Sequence, residues 1–226
     1  MWSYFGTSAG KKFLMAGSGA ALFAFILGHL MGNLQIFIGA EALNRYSAVL
    51  HSTGELLWIA RGGLLVMVGI HIWTAAVLTL ENRAARPTPY AAKEYIEASY
   101  ASRTMYLSGI LVLAYIIYHL LHFTFRSVHP ELTQFRDIHG RPDVYRMVVT
   151  SFQQPPIAIA YILANLLLGM HMSHGIYSAF QSLGLLTDDL RAKLRVLSYL
   201  IGYGIFLGYA SIPLGVLAGW VTLPWR

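Results

Sequence analysis

The sequence predicts an all-α integral membrane bundle of five transmembrane helices, and three observations predict it. First, 56% of the 226 residues are hydrophobic and 12% are charged, with a mean hydropathy of +0.54. A soluble domain of this size lacks the polar side chains to cover such a surface. Second, the charges leave five stretches nearly empty, at 13–39, 56–80, 104–125, 156–182 and 197–220. Third, these stretches run to about 22–27 residues each, and about 20 suffice to cross a hydrocarbon core of about 30 Å with some tilt. There is no soluble domain, linker or low-complexity tract, so residues 1–226 read as a single transmembrane domain.

Residues 1–12 are polar, and the apolar run that follows is too long for a signal-peptide core, so the first span is read as retained. Between the second and third spans, "ENRAARPTPYAAKEYIEASYASR" carries Pro87 and Pro89 as breakers and then a helix-prone polar segment. The long connection from Ser127 to Gln154 contains "DVYRMVVTSF", a candidate for a short interfacial helix. The last span, "SYLIGYGIFLGYASIPLGVLAGW", has glycines suited to close packing and a Pro213 placed to kink it. It holds no histidine and reads as structural.

Orientation follows from the connections. With the N-terminus cytoplasmic, nine Lys and Arg fall inside (Lys11, Lys12, Arg83, Arg86, Lys93, Arg103, Arg191, Lys193, Arg195). Six fall outside (Arg45, Arg126, Arg136, Arg141, Arg146, Arg226), which favours that orientation. The net charge of +6 is spread over span ends, where it anchors anionic lipid headgroups; it forms no nucleic-acid surface. With no cysteine, the chain excludes disulfides, thiolate-held iron–sulfur clusters and covalently attached c-type haem.

Nine histidines are present. His51, His129 and His139 fall in outer connections and read as solvated. The others lie in spans: His29, His71, the doublet His119 and His122, and the doublet His171 and His174. Ionisable groups at that depth are costly and mark pathways or cofactors. His29 lies 16 residues after Phe13 and His119 lies 16 after Arg103, whereas His71 follows Leu56 by 15 and His171 follows Pro156 by 15. At 1.5 Å per residue each is about 22–24 Å from the start of its span. Successive spans run in opposite directions, so His29 meets His119 near the outer face and His71 meets His171 near the inner one. The two pairs stand roughly 15 Å apart along the membrane normal. Facing imidazoles in a dry bundle suit bis-histidine ligation of b-type haem. Gly28, Gly32, Gly69, Gly169 and Ser173 adjoin these histidines, and their size would let a flat porphyrin approach the backbone. Within each doublet, His119 and His171 match the required depth one turn better than His122 and His174.

The chain resembles the cytochrome b membrane-anchor subunit of succinate dehydrogenase and fumarate reductase, in its single-polypeptide, five-helix, di-haem form. The resemblance runs through "SAGKKFLMAGSG" into "GHLMGNLQIF", "GGLLVMVGIHIW", "YASRTMYLSG" with "YHLLHFTF", and "DVYRMVVTSF" into "LLGMHMSHGIYSAFQSLGL". It implies two haems b, with His29 and His119 on the distal iron and His71 and His171 on the proximal one. It also implies a flavoprotein partner carrying FAD, an iron–sulfur partner on the inner face, and a quinone site, with menaquinone the expected quinone. The setting it implies is a prokaryotic cytoplasmic (inner) membrane, where the whole complex is a candidate for higher oligomers. This chain itself would hold no dicarboxylate site.

Haem propionates need cationic partners. Lys11, Lys12 and Arg103 stand at the inner end to serve the proximal haem. Arg61, about five residues inside its span, is a candidate partner of the distal propionate or of Glu55. His51, Glu55, Arg61 and His122 make up a candidate outer quinone pocket, with a pocket at the inner face as the alternative. Two other classes share the histidine pattern. One is a stand-alone di-haem oxidoreductase of the ascorbate-reducing kind; the other is a haem-free transporter with intramembrane histidines.

Overall fold

The first span begins at Thr7, whose hydroxyl accepts the Gly10 backbone N–H at 3.1 Å and so closes one of the open donors of a new helix. A computed structural model describes residues 6–85 and 103–224. Helix α1 covers Ser8–Asn33 and runs on as a 3-10 turn, Leu34–Phe37; α2 is Ala40–Ser52 and α3 is Glu55–Ala84. Helix α4, Met105–His119, passes directly into a π turn, Leu120–Thr124. Helix α5 is Val144–Phe152, α6 is Pro155–Ser182 and α7 is Asp188–Leu217. Five of these are long and apolar enough to cross a membrane: α1 with its 3-10 turn, α3, α4 with its π turn, α6 and α7. No β-strand occurs among the described residues; one isolated antiparallel bridge joins Arg136 and Pro142.

The spans are longer than the sequence reading at several ends: α1 begins at Ser8 rather than 13, and α3 runs to Ala84 rather than 80. The last span starts at Asp188 rather than 197, because Asp188 and Asp189 sit in the first turn, where the helix dipole favours acidic side chains. The connection after the first span is also helical. Gly54 (φ +55°) supplies the left-handed turn that lets α2 reverse into α3. The interfacial helix expected around "DVYRMVVTSF" forms as α5, capped by Asp143, whose carboxylate accepts the Arg146 N–H at 2.9 Å. Pro87, Pro89 and the polar segment after them lie outside the described residues, as do Arg86, Lys93 and Arg226.

The end of the bundle that carries Ser8 is here the N-face, and the end that carries α2 and α5 the far face. The largest core lies at the far face. It joins Ile36, Leu43 of α2, Tyr145, Val148, Val149 and Phe152 of α5, Ala158 and Tyr161 of α6, and Ile212, Val216 and Val221 from the end of α7. Six of the nine residues of α5 are buried, so this short helix is a lid wedged between span ends rather than a float on the surface. Polar groups pin it. Asn44 of α2 donates to Asp143 and accepts the Tyr145 N–H, both at 2.9 Å, while the Tyr145 hydroxyl donates to the Thr222 carbonyl at 2.9 Å. Outside them, Arg141 bridges Asp137 (2.6 Å) and Glu41 (2.5 Å).

Helix α7 packs on α6 through glycine. A Cβ on Gly202 would stand 2.5 Å from the Gly169 carbonyl oxygen and 2.9 Å from the Ser173 Cβ, and one on Gly169 would stand 2.8 Å from the Gly202 carbonyl oxygen. Two backbones this close leave no room for a side chain, which is how small residues bind helices in lipid. Gly169 and Ser173 are therefore taken up by α7. This corrects the expectation that they flank a cofactor. Along α1, α7 is held by the Tyr209 hydroxyl, which donates to the Ile26 carbonyl at 2.7 Å.

Gly202→Val should cost about 2 kcal/mol or more in apparent stability, since neither neighbouring backbone can yield. Gly204→Val, with no atom within 4 Å of the new Cβ, should cost far less. Thermal unfolding in detergent checks the pair; equal losses would refute the contact.

The Arg141 cluster predicts an acid-sensitive lid. The Arg141 hydrogen bond holds the Glu41 carboxyl below its usual range. Burial pushes Asp137 up, but hydrogen bonds from the Arg141 side chain and from the Arg141 and His139 N–H groups outweigh it, leaving that carboxyl lowered as well. Both lowered values mean stabilisation that is complete above the ordinary carboxylate range and lost as pH falls through the lowered values, below about pH 4. Hydrogen exchange of residues 135–146 should accelerate there. Glu41→Gln with Asp137→Asn should flatten that dependence.

Candidate functional site: two imidazole pairs in the bundle

Four spans each bring one histidine to the interior. His29 of α1 faces His119 of α4 with ring centres 5.9 Å apart and planes crossed at 85°. His71 of α3 faces His171 of α6 at 6.4 Å and 64°. Two imidazoles on opposite sides of one metal ion, with metal–nitrogen bonds of about 2 Å and about 1 Å more from nitrogen to ring centre, stand about 6 Å apart. Both pairs have that spacing.

The N-face pair is held from behind in the same way twice. Ser18 of α1 meets His71 Nδ1 at 3.4 Å, and Ser108 of α4 meets His171 Nδ1 at 3.2 Å. The next residue in each case is glycine. A Cβ on Gly19 would touch His71 Cε1 at 3.4 Å, and one on Gly109 would touch His171 Cε1 at 3.5 Å, so each imidazole lies on a glycine surface. Each serine hydroxyl already donates within its own helix: Ser18 to the Leu14 carbonyl at 2.8 Å, Ser108 to the Met105 carbonyl at 3.0 Å. The hydroxyl proton being spent there, the ring nitrogen is the donor. His71 and His171 are thus Nδ1–H tautomers, with the Nε2 lone pair left to bind a metal.

These serines and glycines were missed in reading the sequence, although their signal is there. Ser18 precedes His29 by 11 residues and Ser108 precedes His119 by 11. Eleven residues make about three helical turns, so serine and histidine share one face of the helix, about 16 Å apart. Each of α1 and α4 therefore supplies a histidine to one pair and the hydroxyl behind the other. Among the described residues the far-face pair has no such hydroxyl bonded to it. His119 Nδ1 is buried with no hydrogen-bond partner. His29 stacks on Phe25 at 5.3 Å, and Tyr209 lies 6.2 Å from it.

The second members of the doublets have other work. His122 is wholly buried, with Nδ1 3.0 Å from the Tyr161 hydroxyl and Nε2 3.1 Å from Ser151 Oγ. Ser151 donates to the Met147 carbonyl at 2.8 Å, so it accepts from Nε2–H, and Nδ1 accepts from Tyr161. Both nitrogens being used, His122 ties the π turn to α5 and α6 and has no donor or acceptor left for a pocket. A π turn at this point fits the habit of such turns to mark functional sites. It carries the chain from His119, which faces α1, to His122, which faces α5. His174 bonds to Ser178, 2.9 Å away on its own helix.

The cations divide. Lys11 is buried at the N-face and forms an ion pair with Glu81 of α3, tying the first two spans together. Lys12 and Arg103 are exposed at the same end. Arg61 makes no ion pair among the described residues; its guanidinium lies over the Trp58 ring, 4.9 Å from the centre, one turn away on α3. Glu55 is exposed at the first residue of α3, and exposed His51 bonds to the Ser47 carbonyl at 2.8 Å. No hydrogen bond or ion pair joins His51, Glu55, Arg61 and His122, so the far-face cluster expected from the sequence is not assembled by contact. His129 pairs with Glu131 at 3.1 Å, and its ring lies 4.9 Å from that of His122, so it is less open to solvent than a free loop histidine. Of the glycines expected beside the histidines, Gly32 covers the Tyr46 ring, while Gly28 and Gly69 have nothing within 4 Å.

Compared with protein-family models, curated proteins and solved structures, the chain matches none.

His122→Ala should leave the buried Tyr161 hydroxyl without its partner and open a cavity, at a cost of about 3 kcal/mol or more. His174→Ala should cost less than about 1 kcal/mol. Thermal unfolding of both variants in detergent checks the ranking, and the reverse order would overturn the assignment of His122 as a structural tie.

Proposed function

We propose that this chain is the di-haem cytochrome b anchor of a succinate dehydrogenase or fumarate reductase complex. The observation that carries the reading is the double imidazole pairing: four histidines from four antiparallel spans, taken two by two at metal-bridging distance, at two levels about 16 Å apart along α1 and α4. The residues present fit the group. Neutral imidazoles are the donors a b-type haem takes, and the tautomer of the N-face pair leaves Nε2 as the ligand atom. The His119 ring, whose Nδ1 has no hydrogen-bond partner, stands 5.9 Å from that of His29. A transporter using histidines for protons has no need of two pairs matched in spacing at two levels.

When bound, two haems would carry single electrons between an iron–sulfur protein at the N-face and a membrane quinone, with menaquinone the expected acceptor or donor. The chain's own residues would do the holding. Lys12 and Arg103 stand where propionates of the N-face haem need cations. Lys11, being spent on Glu81, is set aside from that role. Arg61 and Glu55 keep their place as candidates at a far-face quinone site, and His122 leaves it. A flavoprotein with FAD would complete the complex and hold the dicarboxylate chemistry.

The purified complex should contain two haems b per copy of this chain by pyridine haemochrome. His29→Ala or His119→Ala should remove the far-face haem, and His71→Ala or His171→Ala the N-face one. A colourless protein, or one haem in the unmodified complex, would overturn the reading.

A further inference from the structure

We propose that Ser18 and Ser108 are the positioning residues of the N-face haem: each accepts the Nδ1–H of one axial imidazole and thereby sets its tautomer, its ring plane and its electron donation to iron. The inference rests on the haem reading and adds to it a pair of residues outside the donor set. Three features carry it. The arrangement occurs twice, on two helices, with the same serine–glycine order and the same contacts to Nδ1 and Cε1. Both serines are buried, at 3% and 5% exposure, so neither hydroxyl answers to water. And each hydroxyl proton is committed to a carbonyl, which leaves the oxygen only an acceptor's role toward the ring. An acceptor behind a metal-bound imidazole raises the basicity of the ligand and fixes its rotation.

The two halves are not equal, and this sharpens the test. Ser108 stands closer to its imidazole than Ser18 does, at 3.2 Å from His171 Nδ1 against 3.4 Å from His71 Nδ1. Removing the Ser108 hydroxyl should therefore weaken donation to the N-face iron more than removing that of Ser18. A weaker donor favours ferrous over ferric iron, so the midpoint potential should rise. Among the described residues the far-face pair has no such hydroxyl bonded to it, so its haem is an internal reference.

The experiment uses the whole complex, purified with Ser18→Ala, Ser108→Ala or Ser108→Thr. Each is measured for haem content, for low-spin electron paramagnetic resonance, whose low-field g value reads the angle between the imidazole planes, and for redox titration of both haems. Expected is retention of both haems in Ser108→Ala, with a changed g value and a raised potential for the N-face haem alone. Ser18→Ala should show a smaller shift in the same direction, and Ser108→Thr, which keeps the hydroxyl, the unmodified signal. Loss of the N-face haem alone in Ser108→Ala, with the threonine variant intact, would support the proposal equally. An unchanged g value and potential in Ser108→Ala would overturn it, as would equal shifts in both haems. If Ser108→Ala fails to assemble, the Ser18→Ala and Ser108→Thr spectra decide: an unshifted Ser18→Ala or an altered Ser108→Thr would overturn it. A complex without haem in its unmodified form would instead sink the reading beneath it.

Discussion

An imidazole in hydrocarbon must place both of its nitrogens, because no water is there to take the one left over. His71, His171 and His122 are placed to meet that requirement, whereas His119 keeps Nδ1 buried and unpartnered. For His71 and His171 Nδ1 goes to a serine, and the two rings face each other with centres 6.4 Å apart. For His122 both nitrogens go to side chains of other helices, which makes it a tie rather than a donor. The same residue type thus does two jobs within one turn of helix. What separates them is whether the second nitrogen is already spent.

From this requirement follows the internal likeness of the two halves. Helices α1 and α4 carry serine, glycine and, three turns on, histidine along one face; α3 and α6 each carry the histidine that leans on that serine. The pairs then form across the halves. Helices α1 and α4 serve both levels, each with a histidine at one and a serine at the other, so neither could be lost without disturbing both pairs. Helix α7 stands apart from this scheme. Its glycine contact with α6 and its tyrosine on the α1 backbone brace the four-helix set from outside.

The two faces of the bundle differ in kind. The far face is closed by packing: α5 buries six of nine residues there, and Asn44, Asp143 and Arg141 lock the lid to α2. At the N-face, among the described residues, Lys11 pairs with Glu81 across the first two spans, and Lys12 and Arg103 are exposed. A closed far face suits a site that keeps water from the distal rings. A polar N-face suits docking by soluble partners, which is the arrangement that the proposed function requires.

Much of this was legible in the residues taken one span at a time. Apolar runs of membrane length set the five helices, and equal depth in antiparallel spans set which histidines meet, because both depend only on counting along a helix of known rise. The amphipathic "DVYRMVVTSF" marked α5 for the same reason. What the sequence could not decide was which neighbour takes each polar atom. That Gly169 serves α7 and not a cofactor, that His122 is saturated by Ser151 and Tyr161, that Lys11 belongs to Glu81, and that serines 53 and 63 residues away from His71 and His171 stand behind them are matters of contact between helices. The rotation of one helix against another fixes these, and rotation is set by packing. The sequence by itself determined how many helices cross and at what depth the imidazoles lie; only the tertiary structure decided which imidazoles keep a nitrogen free.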